Sequence, residues 1–430
     1  MMSHMVITVI GTGFVGVVSA AVFAKFGHTV YGLDIDEKKI SKLEQANMPF
    51  FEPGLEELVK AGVKNGNLKF TTSYNTSISQ SDIIFLAVGT PSAADGQADI
   101  RFVLMAAQSL ATHLKSGAIV VIKSTVPPGT NAKVEAIISK HTQKEFFVAS
   151  APEFLREGTA VQDFLYPNRV VIGTTNSHVA KVLLELHEPF GGEKVVIRPQ
   201  SAQMAKYAAN AYLAQRITFI NQIANLCEQN GADVQEVIKA IGFDKRIGTH
   251  YWYPGLGYGG SCFPKDVKEV AAYSQAVGEN DSLFIKIDEL NEARIPRLLN
   301  TWDQQVKFAG KTVAVLGLSF KPNTSDTREA PAMKVIPILE QKGATIRAFD
   351  PKALEESRHL YQNVYFAHSL NDAAKDADIL IMLIEWDEFK SLDFPKLKKI
   401  MKGNVFIDTR NQYDPSEVTE HGFKYIGVGR

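Results

Sequence analysis

The chain has 430 residues, 45% hydrophobic and 22% charged, enough for roughly two to four globular domains and too apolar for a disordered one. Lys plus Arg total 46 and Asp plus Glu 47, and a net charge of −1 offers no field to hold a polyanion, which excludes nucleic acid as an expected partner. Two cysteines, Cys227 and Cys262, cannot build a disulfide framework, no Cys-x-x-Cys or histidine cluster suggests a metal, and no apolar run reaches the roughly 20 residues of a membrane span. The opening Met1-Met2-Ser3-His4-Met5 carries no basic leader, so a cytoplasmic chain without metal or membrane contact is expected.

Val6-Ile7-Thr8-Val9-Ile10 reads as a buried parallel strand. It runs into Gly11-Thr12-Gly13-Phe14-Val15-Gly16 and an Ala-rich helical stretch, and a second strand over 29–33 ends at Asp34. In this context the three glycines have separate jobs. Gly11 makes the tight turn, Gly13 lets backbone approach a pyrophosphate, and Gly16 lets helix and strand pack closely. The helix N-terminus favours the phosphate charge. Asp34 can accept hydrogen bonds from ribose hydroxyls and would repel a 2′-phosphate, and no Arg follows in Ile35-Asp36-Glu37, so NAD is favoured over NADP. Strands over 82–88, 119–123 and 146–149 alternate with helical segments, which predicts a doubly wound α/β fold with a parallel sheet.

Residues 201–229 lack Pro and Gly and carry Ala, Leu and Ile at helical spacing. Such a helix would span about 43 Å, long enough to join two domains, and its apolar residues on several faces suggest a partner subunit. After residue 310 the first grammar returns: a strand over 312–316, the turn Gly317-Leu318-Ser319-Phe320-Lys321, a strand over 345–349 ending at Asp350, and strands over 378–382 and 404–409. This predicts a second Rossmann-like domain, and without the three-glycine fingerprint a dinucleotide is less expected there than a mononucleotide or none.

Gly257-Tyr258-Gly259-Gly260-Ser261-Cys262-Phe263-Pro264-Lys265-Asp266 sets a thiol in a backbone small enough for a ligand to approach. A lone cysteine is more often a small buried hydrophobe, and Cys227, within an apolar helical pattern, is that case. Lys265 would favour a thiolate and Asp266 would oppose it. NAD together with a nucleophilic thiol permits two oxidations in one site. An aldehyde captured as a thiohemiacetal regains a transferable hydride, the resulting thioester is hydrolysed, and an acid leaves.

Five stretches carry a wider resemblance: 11–16, Pro-Glu-Phe-Leu-Arg-Glu-Gly at 152–158, the pair Lys206 and Asn210, the thiol loop 257–266, and Phe-Lys-Pro-Asn-Thr at 320–324. Together, in order along nearly the whole chain, they resemble the UDP-glucose/GDP-mannose dehydrogenase family. The resemblance implies two Rossmann-like domains joined by a long helix that also builds a dimer. It divides the chain into an NAD-binding domain at 1–199, a central helical dimerisation domain with the thiol loop at 200–300, and a UDP-binding domain at 301–430. It implies oxidation of UDP-glucose at C6 to UDP-glucuronate with two NAD and one water, by a homodimer or higher homo-oligomer.

Carried onto this sequence, the resemblance makes Cys262 the nucleophile. Lys206 and Asn210 would stabilise the alkoxide and oxyanion, Asp266 would position a water and assist proton transfer, and Glu153 would be the base for thioester hydrolysis. On sequence alone Lys206 would be a solvated helix residue, and Glu153 and Glu157 an ordinary exposed pair. Val15, Asp34, Lys39, Thr90, Thr125, Glu157, Lys265 and Arg328, with Gly11, Gly13 and Gly16, correspond to NAD contacts. Glu153, Phe154, Leu155, Lys206, Asn210, Tyr251, Trp252, Tyr253, Pro254, Gly255, Gly259 and Lys321 correspond to contacts with the UDP-sugar. Arg410 is a further substrate-side candidate, and Arg246 resembles an arginine that reaches the sugar of a neighbouring subunit. Trp252-Tyr253 departs from the family's usual leucine and small polar residue, so sugar tolerance is the property placed in doubt. The alternatives are a GDP-mannose or UDP-N-acetylhexosamine 6-dehydrogenase with the same chemistry, a single-step β-hydroxyacid dehydrogenase that needs no thiol, and a non-catalytic NAD-responsive protein.

Overall fold

Runs of β-branched and aliphatic residues build the sheet of the first half. In the computed structural model, which describes residues 4–430, its strands are β1 (Val6–Ile10), β2 (Thr29–Leu33), β3 (Leu68–Thr71), β4 (Ile83–Leu86), β5 (Ala118–Ile122), β6 (Phe146–Ser150), β7 (Arg169–Gly173) and β8 (Glu193–Ile197). Met1–Ser3, part of the opening considered above, lie outside the described residues. The strand order is β3-β2-β1-β4-β5-β6-β7-β8. The first six strands are parallel; β7 meets β6 antiparallel through the single pair Ser150 and Gly173, and β8 runs parallel to β7.

Alternation along the strands feeds two cores. Ile83 and Phe85 of β4 and Ile119 and Val121 of β5 pack with Val17, Phe23 and Leu183. Ile84, Leu86, Val120 and Ile122 face the other way, against Val103, Leu110 and Val134. Both faces are covered, which is why these strands read as continuous apolar runs.

The second half repeats the plan with β9 (Thr312–Leu316), β10 (Thr345–Phe349), β11 (Tyr365–Phe366), β12 (Ile379–Met382), β13 (Val405–Asp408) and β14 (Lys424–Ile426), all parallel in the order β11-β10-β9-β12-β13-β14. The repeat extends to single bonds. The amide of Gly11 donates to Leu33 at 2.7 Å and that of Gly317 to Phe349 at 2.9 Å, with φ of +98° and +99°. The Val6 amide donates to Asp82 at 2.8 Å and that of Thr312 to Asp378 at 2.9 Å.

The helix Pro199–Asn230, close to the expected 201–229, carries the chain from the first half into the second. The chain packs as two compact units: one runs to Ala209 and takes in Ala272–Val277, the other holds Asn210–Ala271 and Gly278–Arg430. Among the described residues no helix is long and apolar enough to cross a membrane.

Candidate active site

In the first unit the glycine turn is shaped for a dinucleotide. A Cβ on Gly16 would lie 1.8 Å from the Gly11 carbonyl oxygen, and one on Gly11 would lie 2.6 Å from that of Ala87. On Gly13 a Cβ would meet nothing within 4 Å, so that backbone faces open space where phosphate can approach. Gly13 caps the helix Phe14–Lys25 without a side-chain hydrogen bond, leaving its first-turn amides for an anion. The fit to NAD is therefore good.

Asp34 Oδ2 accepts from the Thr12 amide and hydroxyl, each at 2.8 Å, and from Lys39 Nζ at 3.0 Å. Burial works to raise its pKa, but the Thr12 donors, Lys39 and the Asp36 amide outweigh it and hold the carboxyl below its usual value. Thr90 donates to the Thr125 carbonyl at 2.9 Å, which ties the ends of β4 and β5 together where open α/β sheets take ligands.

The loop 152–158 holds a buried charge cluster. Glu153 accepts from Lys206 Nζ at 3.0 Å and from the Leu155 amide, and the two side chains of the ion pair are 7% and 3% exposed. Lys206 is thus not the solvated residue its helix position suggested on sequence alone, because a carboxylate from a distant loop compensates its burial. Its Nζ lies 5.5 Å from the Phe154 ring centroid, and the Arg169 guanidinium stacks on the same ring at 3.7 Å. Glu157 is buried as well.

Two residues of this cluster escaped the sequence reading. Glu52 accepts from the amides of Gly158 and Ala160 at 2.6 and 2.7 Å, anchoring the loop from far upstream. Lys123, buried between the rings of Phe164 and Phe85, has its pKa pushed down to about 8 by burial, with Glu153 pulling it back up and Lys206 pushing it down. A lysine closing an apolar strand was the signal available for it.

The second unit holds the thiol. Cys262 directly precedes the helix Phe263–Ala276, its Sγ 3.6 Å from Ser261 Oγ, and its carbonyl accepts from the Asp266 amide at 2.8 Å. Asp266 is 1% exposed and accepts from Asn210 Nδ2 at 2.5 Å. Lys265 Nζ lies 2.6 Å from Asp266 and 3.1 Å from Glu269. Burial would lower its pKa, but the two carboxylates overcome that and raise it. Its charge is therefore spent on Asp266 and Glu269.

The substrate-side candidates of this unit gather around the loop 251–260. Tyr251 adopts φ +63°, and Trp252 donates to the Gly248 carbonyl at 2.9 Å under the Arg216 guanidinium, 3.8 Å from its ring. The Tyr253 ring lies tilted 5.5 Å from that of Tyr251, and Pro254 adjoins Gly255. A Cβ on Gly255 would lie 3.3 Å from Arg410, and one on Gly259 would lie 2.2 Å from the Glu329 carbonyl oxygen. Arg410 pairs with Glu385 at 2.6 Å, and Lys321 Nζ lies 5.3 Å from the Phe320 ring. Arg246 and Arg328 are mostly exposed and fold onto Asp244 and Asp326, each at 2.6 Å. Among the described residues no group of three His, Cys, Asp or Glu could hold a metal ion.

The second glycine turn is closed to the job of the first. Asp350 is fully buried and accepts from the amides of Leu318, Ser319, Lys352 and Ala353, the Ser319 hydroxyl and Trp386 Nε1. Its Oδ1 accepts two donors and its Oδ2 four, so it has no lone pair to offer a ribose, whereas Asp34 Oδ1 accepts only the Asp36 amide, at 3.2 Å.

One Rossmann sheet with an open dinucleotide turn, and a second with that turn sealed, define an NAD-dependent dehydrogenase. More narrowly, the chain belongs to the UDP-glucose/GDP-mannose dehydrogenase family. The family's NAD-binding domain matches residues 5–191, its central domain 200–293 and its UDP-binding domain 314–415. A UDP-glucose 6-dehydrogenase from Rhizobium meliloti is 43% identical over 99% of this chain and 100% of its own. One from Bacillus subtilis is 42% identical over 99% of this chain and 93% of its own. The solved structure of a UDP-glucose dehydrogenase from Pyrobaculum islandicum superposes with a TM-score of 0.93 at 35% identity, covering 100% of this chain and 98% of that one. That of a UDP-D-ManNAc dehydrogenase from Pyrococcus horikoshii gives 0.87 at 29%, covering 99% of each.

Proposed function

We propose that this enzyme oxidises UDP-glucose at C6 to UDP-glucuronate in two steps, through thiohemiacetal and thioester intermediates on Cys262. The observation that carries the covalent route is the thiol at the start of the helix Phe263–Ala276, where the first-turn dipole favours a developing thiolate. NAD, when bound, supplies the hydride acceptor for both oxidations.

The remaining groups divide the proton and charge work. Lys206, buried against Glu153, supports loss of the C6 hydroxyl proton and then the oxyanion formed when sulfur adds to the aldehyde. Asn210, held by Asp266, supplies a neutral donor to the same oxyanion. Asp266 orients the water that attacks the thioester, Glu153 accepts its proton, and the C–S bond breaks to return the thiol. Lys321 and Arg410 answer the charge of the nucleotide end.

The domain limits that fit this reading are 1–199, 200–300 and 301–430, with a cytoplasmic location that keeps Cys262 reduced. A homodimer fits the long helix. Tyr212, Phe219 and Leu226, each about half exposed, recur every seven residues and form one apolar stripe along it. Arg246, at 89% side-chain exposure, would leave its surface pair with Asp244 to reach a neighbouring copy.

The test is stoichiometry over a panel of UDP-glucose, UDP-N-acetylhexosamines and GDP-mannose. UDP-glucose should give the highest initial rate and two NADH per sugar, and Cys262→Ser should stall acid formation. One NADH per sugar from the wild-type enzyme would overturn the covalent mechanism, and a faster sugar would reassign the substrate.

A further inference from the structure

The segment from Gly255 to Cys262 has glycine at 255, 257, 259 and 260, so its backbone alone has little to hold it still. The glycines are nevertheless required by close neighbours. A Cβ on Gly257 would lie 2.4 Å from Asn291 Oδ1, one on Gly259 2.2 Å from the Glu329 carbonyl, and one on Gly260 2.6 Å from the Phe320 ring. A loop this free needs to be fixed from outside if it is to aim a nucleophile.

A buried polar frame fixes it, all within the second unit. Asn221 Oδ1 accepts from the Gly255 amide at 2.9 Å, and Arg294 Nε donates to the Gly255 carbonyl at 2.9 Å. Asn291 grips the next turn with both ends of its amide: Oδ1 accepts from the Tyr258 amide at 2.9 Å and Nδ2 donates to the Tyr258 carbonyl at 3.1 Å. Arg294 is tied in turn to the Asn221 carbonyl and to Asn225. It is 2% exposed, and burial pushes its pKa down to about 10, so the fold keeps a guanidinium there at a cost. Neither Asn291 nor Arg294 has a role in the chemistry above.

We propose that Arg294 and Asn291 are positioning residues: they clamp the glycine loop at Gly255 and Tyr258 and thereby aim Cys262 at the aldehyde carbon. The proposal rests on the covalent reading above. Its signature is specific, because a loosened thiol loop fails to capture the aldehyde while the first oxidation proceeds.

The decisive pair of variants is Arg294→Met and Arg294→Gln. The two side chains are of similar length, but Gln places an N–H where Arg has Nε and Met places a methyl there. Both lose the charge and the bonds to Asn221 and Asn225, so their difference isolates the bond to Gly255. With UDP-glucose, Arg294→Met should lose at least about 10-fold in kcat for acid formation and release aldehyde that hydroxylamine traps, with NADH per sugar falling from two towards one. Arg294→Gln should recover most of both. Equal kcat and equal trapping in the two variants would overturn the clamp. Wild-type behaviour of Cys262→Ser in the same assay would instead overturn the covalent reading.

Should neither variant fold, hydrogen exchange on the wild-type enzyme decides. The Gly255 and Tyr258 amides should exchange as slowly as those of the helix Leu283–Val306, and exchange at open-loop rates would refute the proposal.

Discussion

Replacing Lys123 by methionine should stabilise the first unit at neutral pH, although it deletes a charge beside a carboxylate. Glu153 already has Lys206 at 3.0 Å, so the cluster of Lys123, Glu153 and Lys206 carries one positive charge in excess. A buried lysine moved from 10.5 to about 8 carries a penalty of about 3 kcal/mol for keeping its proton when folded. The sign follows from linkage. Between pH 8 and 10.5 the unfolded lysine holds more proton than the folded one, so wild-type stability gains with rising pH in that window. Below pH 8 the full penalty is present. Methionine keeps most of the aliphatic contact with Phe85 and Phe164 and removes the penalty at every pH. Urea unfolding followed by the far-ultraviolet signal should put Lys123→Met above wild type at pH 7, by an amount on the order of 3 kcal/mol at most. The gap should close as pH rises towards 10. A variant less stable than wild type at pH 7, with a gap that ignores pH, would show that Lys123 is a net stabilising partner of Glu153 and would refute this reasoning.

Other predictions address separate parts of the molecule. Gly16→Ala forces a Cβ to 1.8 Å from the Gly11 carbonyl oxygen, so NAD affinity measured by calorimetry should fall at least about 10-fold; unchanged affinity would discount the turn as the cradle. Asp34→Ala should weaken NAD and narrow the preference over NADP, read from the ratio of kcat/KM for the two. His187, pushed down to about 4 by burial despite its bond to the Leu183 carbonyl, stays neutral in the folded state. As pH falls from 6.5 towards 4 the unfolded chain takes up the proton first, so stability should drop in that window, and His187→Gln should blunt the drop. Phe219→Asp places a charge in the apolar stripe of the long helix and should shift the mass measured by light scattering towards the single chain.

The strands most legible in the sequence were those buried on both faces. Val6–Ile10, Thr29–Leu33 and Thr312–Leu316 have the expected limits because largely apolar runs meet glycine turns or an aspartate, and Thr345–Phe349, interrupted by Arg347, was legible from the Asp350 that ends it. The strands Leu68–Thr71, Glu193–Ile197 and Lys424–Ile426 escaped notice. They carry charged residues and lie at sheet edges, where one side needs no apolar cover, and two of them are only three or four residues long. The same limit applied to the charge cluster. Thiol, glycine turn and Asp34 announce themselves locally, whereas the burial of Lys206 depends on Glu153, 53 residues away. The clamp on Gly255 likewise joins residues 39 and 34 positions apart, through Arg294 and Asn221, and no local pattern marks them.

The paired turns at Gly11 and Gly317 have further meaning for how such a chain can change. Two similar strand-turn units differ in the use of a single carboxylate: Asp34 sits beside an open glycine surface, while Asp350 is an internal staple. Giving the second turn coenzyme recognition would mean dismantling the knot around Trp386 and Ala353, with loss of fold before gain of affinity. The chain thus has one reader and one lock, and redesign of its redox specificity can address the first without disturbing the second.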